Sequence, residues 1–143
     1  MVMAESVLVV EDESVLLELA QEILELEAIR TFGAANAHEA LIILERESEI
    51  GLVITDIKMP GKISGFELAW LIAEKWPKIP VLVTSGHQTI RSDELPPHSH
   101  FLPKPWLITT FLGKSKEMLL NSKRLQKRQP LSQTDSVGMQ NIS

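Results

Sequence analysis

The stretch Gly51-Leu52-Val53-Ile54-Thr55-Asp56-Ile57-Lys58-Met59-Pro60-Gly61 is an apolar run that stops on a carboxylate and then enters a Met-Pro-Gly turn. A strand over Leu52 to Thr55 sets Asp56 at its carboxyl end, the edge at which open parallel sheets bind ligands. An earlier run, Ser6 to Val10, is almost continuously apolar, as in a parallel strand covered on both faces. It leads directly into Glu11-Asp12-Glu13. If the two strands are neighbours, several carboxylates share one pocket, a crowding that a hard divalent cation makes tolerable.

Outward from this pair, strands and helices alternate. Asp12 to Glu27 reads as an amphipathic helix with Val15, Leu16, Leu19, Ala20, Ile23 and Leu24 at core spacing. Ile29 to Ala34 is a short strand. Asn36 caps a helix to about Ser48, with Ala37, Ala40, Leu41 and Leu44 inward. Gly65 to Trp76 is a helix with Phe66, Ala69, Ile72, Ala73 and Trp76 on one face, ended by Pro77. Pro80 to Ser85 is a fourth strand. Gln88 to His100 has few apolar residues and Pro96-Pro97, so its helix is short or irregular, within Thr89 to Leu95. Phe101-Leu102 is a brief fifth strand. Trp106 to about Lys127 is the last helix, weakened at Gly113 by roughly 1 kcal/mol. A folded domain of residues 1–127 and a disordered polar tail of 128–143 are expected. The pattern predicts an α/β fold, a doubly wound five-stranded parallel sheet with helices on both faces. Its strand ends then supply Asp12, Asp56, Ser85 and Lys104 to one mouth.

The 143 residues suit one domain, and 44% hydrophobic content suffices for a core. No apolar run approaches the roughly 20 residues that span a bilayer. The opening residues Met1-Val2-Met3-Ala4-Glu5 carry no basic region, so no secretory signal is expected. The absence of cysteine removes disulfides and thiolate metal sites and agrees with a cytoplasmic protein. The net charge of −5 argues against direct nucleic-acid binding.

Each residue at the mouth has a task if the chemistry is phosphoryl transfer to Asp56, where catalysis is positioning and electrostatics. Asp12 and Asp56 can hold Mg²⁺, and Glu11 can orient one of its waters. Lys104 offers a point cation to phosphoryl oxygens, Ser85 a hydroxyl donor, and Asp56 the nucleophile.

With Val9-Val10-Glu11-Asp12-Glu13, Thr55-Asp56-Ile57-Lys58-Met59-Pro60-Gly61, Val83-Thr84-Ser85-Gly86 and Lys104-Pro105 in this order, the chain resembles the receiver domains of two-component response regulators. The resemblance implies a flavodoxin-like sheet of order 2-1-3-4-5, an order that receiver domains exemplify. It implies Asp56 as phosphoacceptor, fed by a histidine kinase or phosphotransfer protein. The implied Mg²⁺ ligands are Asp12, Asp56 and the Lys58 carbonyl, with Glu11 completing the acidic pocket. Ser85 would be the switch hydroxyl, Phe101 the switch aromatic, and Lys104-Pro105 a cis peptide. Lys58 and His87 fall at positions that tune dephosphorylation in the family.

The chain departs from the family in two places. Gly65 lies nine positions after Asp56, slightly more than usual, and Lys104 nineteen after Ser85, somewhat fewer. The deficit falls in the helix-poor stretch before strand five, part of the family's usual signalling and dimerisation surface. With few residues after the last helix, a stand-alone receiver is expected, not an enzyme, with a downstream protein target, no membrane partner, and a monomeric or weakly dimeric state. The rival readings are a non-phosphorylated pseudo-receiver scaffold and an aspartyl-phosphate phosphatase, the latter opposed by Lys58 where a second acid is needed.

Overall fold

The computed structural model describes residues 5–86 and 90–134. Five strands, β1 (Ser6–Val10), β2 (Arg30–Ala34), β3 (Ile50–Asp56), β4 (Val81–Ser85) and β5 (Ser99–Pro103), form one sheet of order β2-β1-β3-β4-β5. Every neighbouring pair is parallel. Among the described residues four α-helices, α1 (Ser14–Glu25), α2 (Ala37–Arg46), α3 (Gly65–Lys75) and α4 (Ile108–Thr134), lie between and after the strands.

Alternation along β1 explains the layering. Leu8 and Val10 pack with Val53, Val81 and Val83 against α2 and α3, through Ala40, Leu44, Leu68 and Ile72. Val7 and Val9 pack with Leu52, Ile54 and Leu82 against Ala20, Ile23 and Leu24 of α1 and Phe111 and Met118 of α4. Both faces of the central strands are therefore dry, which is why their sequences read as unbroken apolar runs. The helix starts are set locally. Asn36 accepts from the Glu39 N–H, and Ser64 and Glu67 form a reciprocal capping box.

Several expectations are corrected. Val15 and Leu19 of α1 are exposed, at 74% and 41%, so the buried stripe is narrower than the apolar one. Ile43 and Leu68 are core residues that the inward faces omitted. α1 starts at Ser14, with Glu13 at its N-cap, and ends at Glu25, so it is shorter than the expected Asp12 to Glu27. β3 and β5 are longer than expected. Between β4 and β5 the regular element is a 3-10 turn, Ser92–Glu94, in place of a helix over Thr89 to Leu95, part of which lies outside the described residues. α4 begins after Trp106 and continues to Thr134, past the expected onset of the tail at 128. His87, Met1 to Ala4 and residues 135–143 lie outside the described residues. No helix among the described residues is long and apolar enough to cross a membrane.

Candidate functional site

The site forms at the carboxyl edge of the sheet, where β1, β3 and β5 end side by side with β4. β1 pairs with β3 so that Val10 sits opposite Thr55, which brings Glu11 and Asp12 beside Asp56. The Glu11 N–H donates to the Ala34 carbonyl (2.9 Å) and the Ile57 N–H to the Thr84 carbonyl (3.0 Å), so the ladder carries on one residue past both strands. Carboxylate oxygens of Glu11, Asp12 and Asp56 all lie within 4.8 Å of one another. This all-oxygen set of hard donors fits a hard divalent cation.

Lys104 arrives from the far end of the chain. The β5 pairing registers Ser85 with Pro103, and the Lys104 N–H donates to the Ser85 carbonyl (3.0 Å). Its Nζ then reaches Glu11 Oε1 at 3.0 Å and Asp56 Oδ1 at 3.5 Å. The following Lys104-Pro105 peptide is cis. Glu11 is further held by the Glu13 N–H on Oε2 (3.1 Å), and Asp56 by the Ile57 N–H on Oδ1 (3.0 Å).

Three carboxylates face one ammonium, and the electrostatics reflect the imbalance. Burial pushes the Asp56 carboxyl above its ordinary range, against the pull of Lys104, and Asp12 adds to the rise. Burial likewise raises Glu11, despite its hydrogen bonds from Glu13 and Lys104. For Lys104, burial alone would lower the ammonium, but the Glu11 hydrogen bond and the two carboxylates outweigh it and the net shift is upward. A second cation would balance the charge of this pocket.

The structure thus gathers Glu11, Asp12, Asp56 and Lys104. Ser85 is buried at the end of β4. By strand alternation it shares the α2–α3 face with Val83, whereas Thr84 lies on the opposite face with Leu82. Phe101 is half-buried against the α2–α3 core, and Lys58 is exposed in the loop after Asp56.

Two features were missed by sequence reasoning. A Cβ placed on Gly65 would collide with the Asp56 carbonyl oxygen, and the Gly65 N–H donates to the Ile57 carbonyl (2.8 Å). A glycine directly after an N-cap serine was the available signal, because glycine weakens a helix and close approach of another backbone is one reason to place it there. On the other side, Trp106 stacks on Phe111 with centroids 4.2 Å apart and planes at 16°. Both line a cavity of about 440 Å³ that reaches Glu11, Asp56 and Lys104.

The model of the response regulator receiver domain matches residues 7–95. That stretch holds Glu11, Asp12, Asp56 and Ser85 but ends before Lys104, whose place rests on the β5 register. The response regulator protein FleR of Pseudomonas aeruginosa is 36% identical over 88 residues, covering 62% of this chain and 18% of that protein. The heme response regulator HssR of Staphylococcus saprophyticus is 27% identical over 139 residues, 95% of this chain and 58% of that protein. The chain therefore spans between about a fifth and three fifths of these relatives' lengths. A CheY-like receiver domain protein of Methanospirillum hungatei superposes with a TM-score of 0.76 at 25% identity, covering 85% of this chain and 98% of that one.

Proposed function

This chain belongs to the response regulator receiver domain family, and from that premise we propose that it is a cytoplasmic phosphoacceptor whose Asp56 takes a phosphoryl group from a histidine kinase or phosphotransfer protein. The observation that carries this reading is Lys104 Nζ bridging Glu11 Oε1 and Asp56 Oδ1 in a pocket with three carboxylates.

An Asp56 oxygen attacks the phosphorus, the bond from phosphorus to the donor nitrogen breaks, and the donor imidazole leaves with the electron pair. Lys104 turns toward the phosphoryl oxygens, and the Ser85 hydroxyl donates to one of them. Glu11, Asp12, Asp56 and the Lys58 carbonyl are the groups that would hold Mg²⁺. When bound, the ion neutralises the charge that develops on the phosphoryl oxygens. The product adds roughly −1.5 to −2 charges at the sheet edge and shifts a pre-existing equilibrium. Phe101 is the aromatic that follows Ser85 in that shift. The output is a contact with a downstream protein, and the chain acts as a signalling switch rather than as an enzyme on a foreign substrate.

The test is intact mass after incubation with a small-molecule phosphodonor. One phosphate adduct is expected on the wild type with Mg²⁺, and none on Asp56→Asn or without metal. Absence of any adduct from the wild type, with Mg²⁺ binding established separately, would favour a non-phosphorylated scaffold.

A further inference from the structure

In a doubly wound sheet each parallel crossover normally carries a helix that covers its neighbour. Here the β4–β5 crossover has, among the described residues, only the 3-10 turn Ser92–Glu94 as regular structure. Alongside α3 there is instead a groove of about 720 Å³. Its walls are Ile63, Phe66, Trp70 and Ala73 on one side and Pro97 on the other. Trp70 is 46% exposed, unusual for a tryptophan that packing alone would bury.

The charges on the rim are asymmetric. Among the described residues, Glu67 and Glu74 line it with a single cation, Lys62. The Glu67 side chain is engaged by the Ser64 N–H in the capping box (2.9 Å). Glu74 is exposed and makes no ion pair among the described residues. Phe66, Trp70 and Glu74 follow one another at i, i+4 spacing, so an apolar residue, an aromatic ring and a free carboxylate form one row on α3.

We infer that this groove docks a partner polypeptide segment that presents an arginine or lysine flanked by apolar side chains. The cation sits over the Trp70 ring and pairs with Glu74, and the apolar neighbours fill the space between Phe66, Ala73 and Pro97. Arginine suits the row best, because its planar fork satisfies a carboxylate while stacking on an indole. The acidic rim selects against nucleic acid and anionic lipid. The groove is also joined to the site. Lys62 and Ile63 belong to the loop that leads from Asp56 to α3, and the Gly65 N–H is bonded to the Ile57 carbonyl. Docking is therefore sensitive to phosphorylation, a coupling that rests on the reading of Asp56 as phosphoacceptor.

The test uses the full chain and a synthetic amphipathic peptide of leucine, alanine and arginine, beside a twin with glutamate for arginine. Binding is read by calorimetry and amide chemical shifts. The arginine peptide is expected to move amides of residues 62–74, and Trp70→Ala and Glu74→Lys are each expected to weaken it about tenfold, the loss of one hot-spot residue. Both positions are exposed, so neither variant threatens folding. The glutamate twin should bind Glu74→Lys better than it binds the wild type. Binding that is indifferent to both substitutions, or shifts confined to other faces, would overturn the proposal. So would a dimer in sedimentation that dissociates in Trp70→Ala, since a second copy would then occupy the groove. Equal affinity in phosphorylated and unphosphorylated chain, with the adduct confirmed by mass, would overturn the coupling to Asp56. A missing adduct counts against the phosphoacceptor reading alone, because the arginine-peptide arms are measured without phosphate.

Discussion

The backbone of Gly65 is seated against the backbone of Asp56, so closely that a Cβ on Gly65 would overlap the Asp56 carbonyl oxygen and crowd Ile57 Cα. The start of α3 and the end of β3 are thereby locked to each other, with the Gly65 N–H on the Ile57 carbonyl as the tie. Both contacted atoms are backbone, so no side-chain rotation relieves the clash. Gly65→Ala is expected to cost about 3 kcal/mol, at the upper end of overpacking changes. Urea unfolding checks this, and an unchanged midpoint would mean that α3 shifts freely relative to Asp56.

Asp56 is a charge held at a cost in the metal-free protein. Because burial raises its folded-state pKa, the folded chain binds more protons than the unfolded chain between the ordinary carboxylate value and the raised one. Glu11 acts in the same direction. Without metal, stability should therefore rise as pH is lowered from neutral into that window, and fall from the lower side as pH climbs through the raised values. Asp56→Asn keeps the acceptor for the Ile57 N–H and removes the charge, and should stabilise the metal-free protein at pH 7 by about 0.5–2 kcal/mol, as for other relieved functional sites. Melting temperatures of both proteins across pH, with a chelator, decide the matter; a destabilised Asp56→Asn would contradict the argument.

Lys104 is the one cation among the described residues that is paired with these carboxylates. Lys104→Met keeps the length of the stem but leaves Glu11 and Asp56 without an ammonium. Loss of about 1–3 kcal/mol is expected in the metal-free state, the penalty of leaving buried polar groups unsatisfied. Millimolar Mg²⁺ should recover part of it, since a divalent cation supplies the missing charge. Denaturation with and without Mg²⁺ distinguishes this from a simple packing defect, which metal would not repair.

The Trp106–Phe111 stack lines the cavity that reaches Glu11, Asp56 and Lys104. Phe111 is fully buried, in the core shared by α1, α4 and the sheet. Phe111→Ala should cost about 3–5 kcal/mol. Trp106 should then respond by altered fluorescence, which Phe111→Leu, retaining most of the volume but no ring, would reproduce with a smaller loss of stability. Identical spectra in all three proteins would show that the stack does not define the surroundings of Trp106.

The ends of β1 and β3 were legible in the chain because a strand covered on both faces must be apolar at every position, and such a run stops visibly at the carboxylates of Glu11 and Asp56. Asn36 was legible as a cap because its signal is local. The five-strand alternation followed from the same local patterns, and with it the gathering of Asp12, Asp56 and Lys104. Only the tertiary structure decided how much of each helix is covered. Periodicity sets the phase of the stripe on α1, but Val15 and Leu19 stay exposed because burial requires a neighbour from elsewhere in the chain, and α4 covers only the Ala20–Leu24 end of that stripe. The contact of Gly65 with Asp56 and the groove beside Trp70 belong to the same class. Each depends on the distance between two elements whose separation no local pattern encodes.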